Sequence, residues 1–399
     1  MRFGASSGRL QAAALIAALV LAHSPALAGP RDVELETDGL SPAKDCGSCH
    51  KEIHAKWSRG MHANAFIDPI FRTSFTKAYW ETRGEAAAVC LSCHAPTIAV
   101  TGDVQARLPL TAEGVTCDFC HSLSDVDPGG GPERFKLELG VKHGPRPNLE
   151  SPAHAIKQSP LFLSSRLCSG CHEWTNEKGA HLLSTYSEWA ASPHAREGRT
   201  CQSCHMPSVE GRTVDPKVKQ TAGRTINEHD LSGGHSVSQV KKALRVRIGS
   251  VKRDPDGMVS VQVSVDNVGS GHHVPTGLPT RSVALVVTAT SSNRTVFNKE
   301  YVFRKEVVDE TGRLLTDDAE VMLHGASIRM DNRIPAGQSA VQNLRFHADR
   351  DRDVVVSASV YYRYTPELLK DQLMEIRMSD AEEVVRPASG QLSRSTPSR

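Results

Sequence analysis

Five short stretches of this 399-residue chain carry one arrangement of reactive side chains, Cys-x-x-Cys-His. They are Cys46, Cys49 and His50; Cys90, Cys93 and His94; Cys117, Cys120 and His121; Cys168, Cys171 and His172; and Cys201, Cys204 and His205. Together they consume all ten cysteines. Two thiols at this spacing form thioethers to a porphyrin edge, and the next residue offers an imidazole to one face of the iron. Five covalently bound haem c groups are therefore the expected cofactor. A disulfide framework would suit ten cysteines in an exported chain, but it gives no reason for a histidine after every second cysteine. Zinc ribbons use paired C-x-x-C motifs, yet they do not need five histidines at one offset.

The motif supplies one axial ligand, and the second decides the chemistry. A second imidazole gives a six-coordinate iron suited to electron transfer; an open position lets a small molecule bind. Of 18 histidines, five are in motifs and His23 is near the start, which leaves twelve. His62 and His194 stand out because each follows a tryptophan by five residues, in KWSRGMHANA and EWAASPHARE. Their different spacing to the nearest motif points to haems distant in sequence. The alternative is a surface or propionate-bonding role. His154 precedes motif 4 in SPAHAIKQSPLF, and one of His229 and His235, in NEHDLSGGHS, is expected to be a ligand. His54 lies one helical turn after His50 and reads equally as an exposed residue. His181, His324 and His347 read as structural or surface groups. His272, in GSGHHVPTGLP, either reaches back to an iron or propionate, or sits in a loop whose Gly and Pro merely set its shape. No motif has Lys in place of His, and the haem region has few tyrosines, so no residue is assigned a catalytic role.

The motifs run from residue 46 to 205, with 44, 27, 51 and 33 residues between first cysteines. Such short gaps predict short helices and loops packed on the rings rather than a continuous core. Helices are expected at 51–61, 67–83 and 185–191, a loop at 127–131 and a strand at 135–139. From about residue 240 cysteine disappears and apolar residues alternate with polar ones, as in MVSVQVSVDN. Strands are expected there and in LRVRIGSVK, RSVALVVTAT, 295–308, 321–330, 341–347 and 354–364, with turns between them. That pattern predicts an immunoglobulin-like antiparallel β-sandwich. A helix is expected at 365–378, from a Thr-Pro start. The expected division is a leader at 1–28, a mostly α/irregular pentahaem cytochrome c domain at 29–242, a β-sandwich at 243–385 and a disordered tail at 386–399.

The first thirty residues carry Arg2 and Arg9, an apolar run and small residues before position 29. They read as a cleaved signal peptide rather than an uncleaved anchor, because the run is short for a span. No later stretch is long and apolar enough to cross a bilayer. Export to the periplasm is expected, with the cell surface as an alternative station. The formal net charge is +2. Losing the two leader arginines leaves acidic and basic residues balanced, and haem propionates would then make the protein acidic. A basic patch for nucleic acid is absent. Aromatic residues make up only 5% of the chain, lean for a core unless porphyrins supply flat apolar mass.

CGSCHKEIHAKWSRGMH, GVTCDFCHS, SRLCSGCHEW and EWAASPHAREGRTCQSCHMP resemble the cytochrome c-554 type of the multihaem cytochrome superfamily. That superfamily includes hydroxylamine oxidoreductase and pentahaem nitrite reductase. The GHHVPTGLP loop and β-rich tail look like multihaem cytochromes with a C-terminal sandwich. The resemblance covers roughly residues 43–385. It implies closely packed haems, bis-His ligation through His62, His154, His194 and the 229/235 segment, and an electron-transfer role outside the cytoplasm. The c-554 type has four haems and no β-domain, and the nitrite reductases carry the Lys-bearing motif missing here, so no catalytic residue is carried over.

The leading expectation is a periplasmic electron carrier whose partners are other cytochromes or quinol-linked membrane cytochromes. The alternatives are an oxidoreductase acting on a small nitrogen or sulfur compound or a peroxide at one five-coordinate haem, and a module whose β-sandwich aligns haems by oligomer assembly.

Overall fold

The computed structural model describes residues 35–36, 38–128, 134–219, 224–364 and 374–387. The expected leader, part of the 127–131 loop, most of the expected helix at 365–378 and the tail from 388 lie outside the described residues.

Every motif lies on a short helix: Ala43–Cys49, Ala86–His94, Cys117–Ser122, Arg166–His172 and Cys201–His205. A helix turns in 3.6 residues, so cysteines three apart share a face. Local chemistry starts these helices where the motif needs them. The Thr116 hydroxyl accepts from Phe119 N, and Thr200 with Ser203 forms a reciprocal cap ahead of Cys201. The helix Pro69–Glu81 begins at Asp68, whose carboxylate accepts from Ile70 N and Phe71 N, with proline at its first position. The expected helix at 51–61 divides into Lys51–Trp57 and Met61–Asn64. The backbone is extended at Gly60, ahead of the second helix, and only a glycine fits there: a Cβ would stand 2.4 Å from the Asp230 carbonyl oxygen. Thr185–Ala190 and the strand Phe135–Leu137 fall where the sequence predicts them.

The motif-bearing half has only small apolar clusters, one around Phe119, Leu123 and Val126 and one around Phe66, Phe75 and Leu91. Beyond residue 243 the chain builds two antiparallel sheets. One orders Ser339–His347, Met258–Asn267 and Leu244–Arg253; the other runs from Leu314–Leu315 through Arg294–Val308, Ser282–Ser291 and Val354–Arg363 to Glu375–Val385. Alternate residues of both, among them Val259, Val263, Val283, Leu285, Val356 and Val360, fill one shared core.

Two expectations in this half are corrected. Residues 321–330 do not form one strand. Asp317 accepts from Glu320 N and caps a helix, Asp318–His324, whose Ala319 and Val321 are buried; a strand, Ser327–Asp331, follows. The last four residues of the expected helix at 365–378 are also strand. Glu375–Val385 pairs with Val354–Arg363 along the sheet edge and buries Met378. Satisfying that edge outweighs the local helix preference of Glu375 and Met378.

Candidate functional site

All ten motif cysteines and all five motif histidines line one continuous cavity of about 2470 Å³. Single-ligand pockets run to roughly 300–1,000 Å³, so this space is sized for several large groups. None of the cysteines is in a disulfide. Sulfur atoms of different motifs instead lie close to one another: Cys46 to Cys117, Cys93 to Cys171, and Cys168 to Cys201. Among the described residues no three His, Cys, Asp or Glu side chains converge as a zinc site requires. Neither alternative reading of the cysteines finds support.

The imidazoles are held in a form fit for iron. His50 Nδ1 donates to the Thr213 carbonyl at 2.6 Å, His94 to Ala65 at 2.8 Å, His121 to His143 at 2.7 Å and His205 to Ser232 at 2.8 Å. A carbonyl oxygen only accepts, so each Nδ1 carries the proton and each Nε2 presents its lone pair to the cavity. Three histidines outside the motifs repeat the device: His154 on Ala155 at 3.2 Å, His229 on Asn227 at 2.7 Å and His272 on His273 at 2.8 Å. Burial pushes His62, His121 and His172 down to about 4, with neighbouring imidazoles adding to the effect. These three are neutral at pH 7, the state that binds a metal.

Three pairs of rings face each other at a common distance. The centroids of His50 and His154 are 6.3 Å apart, those of His62 and His172 6.3 Å, and those of His205 and His272 6.4 Å. Metal–imidazole bonds of about 2.0–2.1 Å on opposite sides of one ion, with each ring centre about an ångström behind its nitrogen, give roughly this spacing. The residues present therefore fit haem iron, one motif histidine and one distant histidine to each.

The cavity brings the remaining sequence candidates to its wall in different ways. His229 lies near His121. Among the described residues no imidazole faces His94 at the distance seen in the three pairs; Phe71 stacks on its ring, 3.7 Å between centroids. His235 lies near Asp68, as His94 does, and packs against Tyr364. His194 sits on Pro193–Arg196 as His62 sits on Met61–Asn64, so the Trp-His repeat is structural as well as textual. Its Nδ1 is buried without a hydrogen-bond partner, and its ring lies against Gly271. His54 packs on Trp57 and close to Gly47. His181 and His324 bond carboxylates of Glu173 and Glu81 through Nε2, and His347 is exposed on its strand.

The motif sites fall into two groups. His121, His154 and His229 lie near His50. His172 lies near His62, His205, His272 and His94. Cys168 of motif 4 lies near Cys120 of motif 3. Motifs 1 and 3 thus form one group and motifs 2, 4 and 5 another, joined at motif 4.

Residues 45–122 match the family model described as cytochrome c554 and c-prime. The chain carries a multihaem cytochrome c domain. Its fold is similar to that of a penta-heme cytochrome c552 from Thermochromatium tepidum, with a TM-score of 0.70 and 21% identity, covering 88% of this chain and 100% of that one. A likeness to AT1g01470 from Arabidopsis thaliana, at TM-score 0.19 and 11% identity over 37% of this chain and 80% of that one, is too slight to argue from. In the cytochrome domain, haem c binds covalently, and the motif cysteines and histidines are the groups suited to hold it.

The sequence reading missed what surrounds the ligands. The carbonyls of Thr213, Ala65, His143 and Ser232 carry no side-chain signature. Phe162, stacked on His121 at 5.2 Å, and Arg134, which donates to Ser92 Oγ at 2.6 Å and Cys93 Sγ at 3.2 Å, are also recognisable only in three dimensions. Arg281 and Tyr362 of the β unit reach the cavity wall near His235.

Proposed function

We propose that the protein carries electrons through five haem c groups, attached one to each Cys-x-x-Cys-His motif, between redox-partner proteins in the periplasm. The observation that carries this reading is the set of three facing imidazole pairs at 6.3–6.4 Å. Bound haem would supply one-electron redox chemistry, with potentials set by axial ligand, burial and hydrogen bonding. The chain's own residues bond His50, His94, His121 and His205 through Nδ1 to backbone carbonyls, which leaves Nε2 for a metal, and bring motif helices distant in sequence to one cavity wall. His50 with His154, His172 with His62, and His205 with His272 would each hold one iron; His229 would do so with His121. The two-sheet unit is read as a β-sandwich that closes the cavity beside motifs 2 and 5. Other cytochromes or quinol-linked membrane cytochromes fit as partners. Among the described residues no helix is long and apolar enough to cross a membrane.

A second reading rests on His94. With no imidazole facing it among the described residues, motif 2 is the position where a small oxyanion could meet the iron; His235, with Arg281 beside it, lies on the same cavity wall. Mass spectrometry and EPR of the oxidised protein separate the two. Five covalent haems, all low-spin and inert to nitrite and cyanide, support the carrier. One high-spin haem that binds nitrite supports the second reading. Fewer than five covalent haems would overturn both.

A further inference from the structure

We propose that Glu188 and Arg333 are positioning residues for His272, so that a buried ion pair between the two halves of the chain governs axial coordination at motif 5. The inference rests on the reading of His272 as the ligand opposite His205.

Glu188 lies on Thr185–Ala190, between motifs 4 and 5, whereas His272 and Arg333 belong to the β unit. The Glu188 and Arg333 side chains are each only 4% exposed and meet at 2.7 Å. The same Glu188 carboxylate grips the His272 loop directly. It accepts from His273 N at 3.2 Å and from Thr276 Oγ1 at 2.7 Å, while Ser184 Oγ donates to its other oxygen at 2.7 Å. Arg333 takes the opposite side of the loop, donating to the Pro275 carbonyl at 3.3 Å, and is itself fixed by Asp331 at 2.7 Å. Asn267 completes the frame by donating to the His272 and Ile334 carbonyls at 2.9 and 3.0 Å. Every residue from 273 to 276 except Val274 is therefore held by this group. His272 is the next residue along, and its own Nδ1 bonds the His273 carbonyl.

A buried ion pair adds little net stability over a well-packed apolar pair, because desolvation offsets the attraction; what it can add is a unique geometry. Burial alone would raise the Glu188 carboxyl, but Arg333 and the Ser184 and Thr276 hydroxyls outweigh it and hold it ionised. Lys305, donating to Ser184 Oγ at 2.8 Å, balances Asp331, so two cations and two anions close the cluster. A cluster of this kind is costly as mere glue between domains. It is suited to holding one imidazole at one distance from an iron.

The test uses the full holoprotein. Glu188→Gln keeps the shape and removes the charge; Thr276→Val removes one loop hydroxyl and leaves the ion pair intact. Each should alter one haem of the five: a shifted low-spin EPR signal, a shifted potential and a high-spin fraction that free imidazole reverses. Glu188→Asp should recover part of the wild-type signal. Variants that melt at lower temperature but keep every low-spin signal and potential would mean a structural role only, and would overturn the proposal. His272→Ala provides the separate check. If it releases no haem to high spin, the ligand reading itself fails; if it does while the other variants leave that haem unchanged, only the positioning role falls.

Discussion

His62 and His172 face each other with ring centres 6.3 Å apart, although one follows motif 1 and the other ends motif 4. Neither is protonated at pH 7, since burial pushes both down to about 4. The pair spans the junction of the two motif groups, and so it is the coordination site most worth removing first. His62→Ala should convert one haem to high spin without loss of covalent haem, and added imidazole should restore the low-spin spectrum. Optical and EPR titration measure both steps. An unaltered spectrum would remove His62 from the ligand set.

The motifs were legible in the sequence because thioether attachment demands a fixed local spacing. The second ligands were legible only as candidates, because their partners come from distant elements. The Trp-His repeat shows the limit. Trp57 with His62 and Trp189 with His194 look alike in sequence and lie on matching four-residue helices, yet only His62 meets a motif imidazole at ligand spacing. His272 could not be separated from a loop-shaping role until Glu188 and Arg333 were seen around it. In the β unit, period-two alternation located most strands. It failed at 321–330, where a single capping residue, Asp317, turned an ambiguous apolar run into a helix.

His229 and His235 were indistinguishable in sequence and differ in three dimensions. His229 has its Nδ1 on the Asn227 carbonyl and lies near His121; His235 packs on Tyr364 in the field of Arg281. His229→Ala should therefore release one haem to high spin, whereas His235→Ala should leave the number of low-spin haems unchanged. EPR spin counting of the two variants decides between them. The opposite result would move the axial role to His235 and close motif 2.

Acid should unfold the cytochrome domain from the ligands outward. His62, His121 and His172 sit at about 4 in the folded chain against about 6.5 unfolded. Between those values the unfolded chain binds more protons, so stability rises with pH across the window and is lost as pH falls through it. Iron coordination acts in the same direction, because a bound nitrogen must be unprotonated. Urea midpoints followed at the Soret band should be flat above about pH 7 and fall steadily below about pH 6.5. A midpoint constant down to about pH 4 would contradict the assignment of these imidazoles as buried and neutral.

The last expectation concerns how far damage in the β unit reaches. Leu285 is fully buried on Ser282–Ser291, between Arg294–Val308 and Val354–Arg363. Truncating a leucine in such a site costs about 2–5 kcal/mol, through lost burial and the cavity left behind. Leu285 itself touches no motif, and the β unit supplies one facing imidazole, His272, to the three pairs. Leu285→Ala should therefore lower the unfolding midpoint measured by far-UV circular dichroism. As the β unit loosens, one low-spin signal should be lost ahead of the others, because His205 loses its partner while His50 with His154 and His172 with His62 keep theirs. Loss of all low-spin signals together would show that the two halves unfold as one unit. Retention of every low-spin signal after the β unit has melted would mean that His272 holds no iron, and that the β unit merely covers the cavity.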